Sequence, residues 1–585
     1  MPKDVINRVK VSDYIADELA NRGCEVVFGV SGGASLHLLK SVEDHPKLRL
    51  ITVHHEQSVA MAAEAYSRIT GKLGVGIVTS GPGATNLTTG VAGAYFDSVP
   101  CLFITGQVST FRKSAGLGVR QYGFQETNTV DIFKPISKYV SEVTQSELLP
   151  AILSKSINEA TSGRPGPVII DIPDNIQREF IELTDLSRNS TISEEYKENT
   201  EDKFIFETQL DLIHRSLSES KSPIIICGWG TVLSKSENNF LKLLDAWNLP
   251  VVLTWGAKSL IPTDRKYLLG TFGTHGNRAA NRAIQESDLI ISFGSRLDTK
   301  ATGTPPESFA PMAKIIMFDI DRNEFTKFES KNLKIDLFYE SDFRKIEFHN
   351  FLKSLESFNL NQKQYDAWRS KIANQFAFQE TYPNNSAGIE PYEFIKIISR
   401  LVPDYCRIIV DTGCSIAWTM QAWEVKLGHS IFHDFNNTAM GWSIPATLAS
   451  LAKKDDTTTV CIVGDGSLMM NLGDLATIAS QGKPVLIFIL NNGGYSMIKQ
   501  TQEQWFKSEY FASDDKTGLS FPDFKLLAQS FGFSYLKLNP NDDYFSLLSN
   551  QNLFQERFII EVIIDPDARV IPQNRFGNPI HIMEP

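Results

Sequence analysis

Two apolar runs that each end in small polar residues constrain this chain more than anything else in its 585 residues: Val460-Cys-Ile-Val-Gly-Asp-Gly-Ser467 and Pro484-Val-Leu-Ile-Phe-Ile-Leu-Asn-Asn-Gly-Gly494. Each has the length and aliphatic content of a fully buried strand. The glycines after the first mark a tight turn into a helix starting near Ser467. Strand, helix and second buried strand, in that order, belong to a parallel sheet covered by helices. The turn carries one carboxylate, Asp465, between glycines, and with Gly466 and Ser467 it lets backbone N–H groups approach an anion at the helix start. The second loop offers the amide oxygen of Asn492 and the bare carbonyls of Gly493 and Gly494. A carboxylate, an amide oxygen and a carbonyl are hard oxygen ligands, too few to enclose a cation. Phosphate and water complete such a set, as is usual for Mg²⁺. The two runs therefore read as the site of a metal-bound diphosphate.

The same alternation recurs along the chain. Residues 1–187 read as helix at Val11–Arg22, strand at Val26–Val30, helix at Gln57–Thr70, and strands at Val75–Thr79 and Val168–Ile172. A second region, 204–356, places strands at Pro223–Cys227, Pro250–Thr254, Leu289–Phe293 and Lys314–Asp319. A third, 386–585, opens with an extended Arg407–Val410. The polar stretches Arg188–Lys203 and Asn359–Asn385 read as linkers. A chain this long needs several cores, so the pattern predicts an α/β protein of three doubly wound parallel-sheet domains. Val75-Gly-Ile-Val-Thr-Ser-Gly-Pro-Gly83 echoes the run at 460–466, so the first and third sheets are expected to be alike and the middle one different.

A net charge of −11, with no basic block, argues against a nucleic-acid or membrane surface. Apolar runs such as Val485–Leu490 are far too short to span a bilayer. The six cysteines, at 24, 101, 227, 406, 414 and 461, lack metal-binding spacing and several sit in strand-like runs, which suits a reducing cytosol. The start, Met-Pro-Lys-Asp, runs into a charged amphipathic helix rather than a signal peptide, so a cytoplasmic enzyme is expected.

The Gly-Asp-Gly turn answered by Asn491-Asn492 resembles the thiamine-diphosphate motif. Further blocks extend the likeness: His54-His-Glu-Gln57, Ala62-Ala-Glu-Ala-Tyr66, Thr79-Ser-Gly-Pro-Gly-Ala-Thr-Asn86, Asp97-Ser-Val-Pro100, Ile104-Thr-Gly-Gln107, Phe124-Gln-Glu-Thr127, Pro165-Gly-Pro-Val168 and Met440-Gly-Trp-Ser-Ile-Pro445. Taken in order they resemble the large subunit of acetolactate synthase and its relatives over nearly the whole chain. The resemblance implies thiamine diphosphate and Mg²⁺ held by Asp465, Asn492 and Gly494. It implies that Glu56 exchanges a proton with the cofactor's aminopyrimidine, and that burial holds this carboxyl protonated. Met440 resembles the residue that props the cofactor into its bent shape. Gly413, Cys414, Ser415 and Thr438 lie where relatives contact it, although relatives often carry Gln-His where Cys414-Ser415 stand. Phe124 and Gln125 resemble residues lining the substrate pocket, Gln125 with a catalytic part. His54 and His55 read as packing or polar neighbours. The family builds its active sites between subunits, so a homodimer or homotetramer is implied.

In the middle region Phe272-Gly-Thr-His-Gly276, Gly294-Ser-Arg-Leu-Asp298 and Asp319-Ile-Asp321 resemble flavin-contacting blocks. They imply an FAD site formed by Gly273, His275, Gly294, Arg296, Asp298 and Asp319, with Arg296 toward the diphosphate and the acids toward ribityl or ribose hydroxyls. Gly228-Trp-Gly230 lacks a third glycine and is weak dinucleotide evidence.

Two departures bear on the substrate. Relatives carry a lysine where Ile172-Pro-Asp-Asn175 places Asp174, and a tryptophan where Ser496-Met-Ile-Lys-Gln-Thr501 places Thr501. An indole replaced by a hydroxyl opens a pocket and makes it more polar. Leu117-Gly-Val-Arg-Gln121 also resembles the relatives that build branched-chain sugars from pyruvate and nucleotide-linked ketosugars, and with the two departures this resemblance implies a carboligase that takes the acetyl unit of pyruvate to a large polar ketone such as a nucleotide-linked ketosugar. The alternatives are acetolactate synthase itself, with a second 2-oxo acid as acceptor, and a non-oxidative decarboxylase releasing aldehyde.

Overall fold

The computed structural model describes residues 7–114, 116–183, 200–376, 387–575 and 577–584. Most of the expected linker Arg188–Lys203, and 377–385 of the second polar passage, lie outside them.

Three six-stranded sheets, every pairing parallel, organise these residues. The first comprises β1 (Val26–Gly29), β2 (Arg49–Thr52), β3 (Gly74–Val78), β4 (Cys101–Gln107), β5 (Tyr139–Glu142) and β6 (Pro167–Pro173), in the order β2-β1-β3-β4-β6-β5. The middle sheet comprises β7 (Pro223–Cys227), β8 (Val251–Leu253), β9 (Leu268–Thr271), β10 (Leu289–Phe293), β11 (Lys314–Asp319) and β12 (Leu337–Glu340), ordered β9-β8-β7-β10-β11-β12. The third comprises β13 (Cys406–Val410), β14 (His429–Phe432), β15 (Thr458–Gly464), β16 (Val485–Asn491), β17 (Ser534–Leu538) and β18 (Arg557–Ile563), ordered β14-β13-β15-β16-β18-β17. The first and third sheets thus share one strand order and the middle one differs, as the glycine-turn echo suggested.

Each sheet is covered on both faces, which is why its strands read as unbroken apolar runs. One face of the first sheet and one face of the third share a single core. Into it helix α1 (Glu56–Thr70) brings Val59, Ala60, Ala63 and Tyr66, and a later helix, Ser443–Ala452, brings Ile444, Ala446, Leu448 and Leu451. Small side chains at this crossing let the two helices lie close.

Two expectations need correction. In the described part of the polar passage Asn359–Asn385, a helical segment buries Tyr365 in one core of the middle sheet and Trp368, Ile372 and Phe376 in the other. The helix expected near Ser467 is a single turn, Asp465–Leu468. It stops where the Asn471 amide turns to donate to the Gly441 carbonyl, 3.0 Å away, and helix resumes only at Asp474. The six cysteines are buried and unpaired.

In β4, a Cβ on Gly106 would stand 2.0 Å from the Ala34 carbonyl oxygen, which is backbone and cannot swing aside. Gly106→Ala should therefore destabilise the first domain by about 1–3 kcal/mol, the cost of overpacking. A urea titration of the purified variant measures it, and an unchanged midpoint would contradict this packing.

Candidate active site

In open parallel sheets, ligands bind outside the carboxyl ends of the strands, at the point where strand order reverses. In the third sheet that point lies between β13 and β15, where Asp411–Ser415 and Gly464–Ser467 emerge side by side. Asp465 is buried and accepts from Gly466 N at 2.6 Å and Gly494 N at 3.1 Å. Burial outweighs these bonds and raises its carboxyl to about 6. Asn491 ends β16 and spends its amide on Glu561 and on Gly493 N, at 2.7 and 3.1 Å. Asn492 is different: its amide oxygen is buried with no partner. An orphaned acceptor costs about 1–3 kcal/mol unless something fills it. Among the described residues no group of three or more His, Cys, Asp or Glu could hold a metal, so a cation here would share one carboxylate with amide and carbonyl oxygens. The donor set fits Mg²⁺.

The floor of this end is glycine by necessity. Gly413 has φ +79° and open space where a Cβ would go, and a Cβ on Gly466 would meet the Tyr495 ring at 2.1 Å. Cys414 opens the helix Cys414–Ala422, and burial pushes its thiol up to about 12, which leaves it a neutral lining group. Ser415 lies over Gly464. Ser467 bonds to Asp411.

No spacing or motif in the sequence marks Asp411, yet it ties the site together. Fully buried, it accepts from Thr412 N and Gly441 N at 3.0 Å and from Ser443 N at 2.9 Å. It thereby joins the turn after β13 to the backbone just after Met440 and, through Ser467, to the Asp465 turn. The segment before Met440 is shaped by Asp434, whose backbone and side chain take Thr438 N and Ala439 N at 3.1 Å; Thr438 itself has φ +50°. Met440 is half-exposed and belongs to none of the buried clusters, as a residue projecting into a cleft would be.

The matching reversal in the first sheet, between β1 and β3, gathers the other candidates. Glu56 is the first residue of α1, half-buried, and accepts from Asn86 Nδ2 at 2.9 Å. Asn86 closes the Thr79–Asn86 block, and this contact gives it a role that the motif alone does not. Gln125, at φ +64°, packs over Gly81, where a Cβ would lie 2.9 Å from its own. His55 caps α1 by accepting from Gln57 N, and His54 N donates to Asp474; both histidines are exposed polar neighbours. Gln57 and Ser58 both reach Asn471, so the head of α1 docks on the segment that follows the Asp465–Leu468 turn of its own chain. Phe124, next to Gln125, is 87% exposed.

Asp174 and Thr501 lie on different domains and share no hydrogen bond. Asp174 heads the short helix after β6 and takes a bond from Ser109. Thr501 sits on the helix Ser496–Phe506 and returns its hydroxyl to the Met497 carbonyl at 3.0 Å.

Beside the middle sheet's reversal is a cavity that also reaches Phe96 of the first domain and Phe435 of the third. Gly294, Arg296, Asp298, Asp319 and His275 line it with Trp229 and Trp255. The His275 Nδ1 is buried without a partner, and burial draws this imidazole down to about 4. An aromatic wall, arginines and an unpaired imidazole fit a dinucleotide such as FAD. Arg296, however, already bonds Phe96 O and Asn436 Oδ1, and Asp298 caps its own helix through Lys300 N and Ala301 N. Gly273 stands behind the wall, where a Cβ would lie 2.4 Å from Lys300 O. Gly228 and Gly230 serve close backbone packing: a Cβ on Gly228 would fall 2.2 Å from Gly294 O.

Family descriptions match all three domains: "Thiamine pyrophosphate enzyme, N-terminal TPP binding domain" over residues 9–132, "central domain" over 210–338 and "C-terminal TPP binding domain" over 411–551. The chain is similar to an acetolactate synthase large subunit of Lactococcus lactis, 32% identical over 96% of this chain and 93% of the relative. It is also similar to the isozyme 2 large subunit of Escherichia coli, at 30% identity over 96% of each. The chloroplastic acetolactate synthase of Arabidopsis thaliana aligns at 30% over 96% of this chain and 82% of the relative.

A cation held by Asp465 would bind its ionised form, and burial pushes that carboxyl up to about 6. Mg²⁺ affinity in the presence of thiamine diphosphate should hold steady above about pH 7 and weaken roughly tenfold per pH unit below about pH 6, since each ion must displace a proton. Calorimetric titration checks this; a fall no steeper than that of Mg²⁺ with the free cofactor would remove Asp465 from the ligand set.

Proposed function

This chain belongs to the thiamine-diphosphate-dependent enzymes of the acetolactate synthase large-subunit family, and from that footing we propose that it is an acetolactate synthase, releasing CO₂ from pyruvate and joining the remaining acetyl unit to a second 2-oxo acid. The single observation that carries the chemistry is the unpartnered Asn492 oxygen buried beside Asp465. Relatives that align along almost the whole chain bear that name, which favours a 2-oxo acid acceptor over the ketosugar acceptor suggested by two positions alone.

When bound, thiamine diphosphate supplies a nucleophilic carbon and an electron sink for loss of CO₂. Asp465, Asn492 and the Gly494 carbonyl would hold Mg²⁺ and through it the diphosphate. Gly413 and Gly466 would let backbone approach the cofactor, and Met440, half-exposed at the cleft, would pack against it. Glu56, oriented by Asn86, holds and returns the proton that activation requires. Gln125 and Phe124 border the substrate. FAD in the middle cavity is part of the proposal, supported by the aromatic wall and the unpaired His275.

The functional unit is a homodimer or homotetramer in the cytoplasm. Phe111, Leu117, Tyr122 and Phe124 around Gln125, and Trp505 and Phe506 beyond Thr501, are all at least 48% exposed. That much apolar surface beside the site supports cover by a second copy, with Glu56 of one chain serving the cofactor on another's Asp465. Glu56→Gln should bind the cofactor and lose on the order of a hundredfold in turnover. Mixing it with Asp465→Ala should restore part of the activity after subunit exchange, because one hybrid site is intact. No recovery despite demonstrated exchange would place each site within one chain.

A sugar-sized acceptor is kept as a second reading because the Thr501 hydroxyl is folded back onto its own helix, which leaves room where relatives carry an indole. Incubation with pyruvate alone, and with pyruvate plus a nucleotide-linked ketosugar, followed by mass spectrometry, separates the two. Acetolactate as the main product supports the synthase. If instead the sugar accelerates pyruvate use, Thr501→Trp should shift the preference back by about 1–3 kcal/mol.

A further inference from the structure

Arg68 lies three turns along α1 from Glu56, and its guanidinium has no access to water. It bonds Glu64 on its own helix and Asp97, the residue that follows the helix Thr88–Phe96. Three rings cage it: Trp229 of the middle domain at 5.3 Å, and Phe435 and Trp442 of the third domain at 5.7 Å. The Trp442 indole donates to Glu64 at 3.0 Å, and the Trp229 indole to the Asp97 carbonyl at 2.9 Å. One buried cation therefore joins all three domains.

What Asp97 does with its remaining capacity matters for Met440. Its carboxylate accepts from Phe435 N at 2.8 Å and from the Asn436 amide, while Arg296 holds the other end of that amide at 2.7 Å. Phe435 and Asn436 directly follow Asp434, whose carboxylate fixes Ala439 N, one residue before Met440. The approach to Met440 is thus tied to the first domain by Asp97, and its exit is tied to the Asp465 turn by Asp411.

We propose that Asp97, held by Arg68, is a positioning residue of the reaction: it sets the 434–440 segment, and through it Met440, against the turn that carries Asp465. The proposal rests on the reading of this chain as a thiamine-diphosphate enzyme that uses pyruvate. It assigns the Arg68 cluster a part in catalysis beyond holding the fold together. Asp97 and Arg68 touch no reacting atom; they act through the backbone they hold.

Asp97→Asn keeps the shape but loses the charge that Arg68 requires. Arg68→Lys keeps the charge but cannot span Glu64 and Asp97 together. Each variant is to be measured as purified holoenzyme for thermal unfolding, for thiamine diphosphate affinity with Mg²⁺ by tryptophan fluorescence, and for kcat and KM with pyruvate. In folded Asp97→Asn, cofactor affinity should fall at least fivefold and kcat at least tenfold, with KM for pyruvate within twofold. If Arg68→Lys does not fold, Asp97→Asn carries the test. Wild-type cofactor affinity and kcat per folded molecule would overturn the proposal, even alongside a lower melting temperature, because that is a purely structural role. Should the wild type itself leave pyruvate unchanged, the substrate reading fails, while the cofactor affinities still decide whether Asp97 positions the site.

Discussion

Both the fold and the site depend on the crossing of α1 with the helix Ser443–Ala452. It is where the inner faces of the first and third sheets become one core, and small residues permit it to be close. Inside lies a charge problem: Glu64, Asp97 and Asp434 surround Arg68, three acids to one base. Ions cost several kcal/mol each to desolvate, and a fully ionised set would not be stable there. Burial accordingly raises Glu64 to about 8 and Asp434 to about 7. Raised acids bind more protons folded than unfolded, so their contribution to stability declines as pH rises from the ordinary carboxylate range to about 8, and is level beyond it. The cluster persists because its hydrogen bonds hold loops from all three domains. Hydrocarbon of equal volume could not do that.

The common strand order of the first and third sheets explains how one architecture supplies two unlike half-sites. Both reverse between their first and third strands, and both place a glycine-rich turn there. In the third sheet the turn carries an acid and faces an unpaired amide, a place for a cation and its phosphates. In the first, the turn carries Gly81 and Asn86, and the neighbouring helix presents Glu56. Fold alone assigns neither role; the loop residues do. The middle sheet, ordered β9-β8-β7-β10-β11-β12, has the same order as dinucleotide-binding folds, yet its glycines serve the close approach of Gly228 and Gly230 to Gly294.

The strands named from the sequence were legible because parallel sheets covered on both faces need continuous apolar runs, and they were found within one or two residues of their ends; the six edge strands, together with β4 and β18 inside the sheets, were not named. The Asp465 and Asn492 pairing was legible because its glycines and amides have little other purpose at strand ends. Asp411 was not. A single acid directly after a strand carries no spacing signal, and its importance comes from four donors brought together by folding. The passage after Asn359 misled because its polar majority hid Tyr365, Trp368 and Phe376, which alone decide that it packs. The helix near Ser467 misled because a side chain, Asn471, and not a glycine or proline, ends its first turn.

The single chain also explains why the substrate was the hardest thing to read. Glu56 is half-buried, Phe124 is almost bare, and Asp174 and Thr501 stand on separate domains with no bond between them. A pocket that discriminates between acceptors must be walled on several sides, and these residues supply walls that do not close within one molecule. Replacing an indole by Thr501 therefore changes the shape of a space that this chain leaves open on its far side. Substitutions at such positions would alter selectivity without disturbing the fold or the Asp465 turn, which is why the proposed chemistry can be argued from Asp465, Asn492 and Glu56 while the acceptor depends on what these walls leave open.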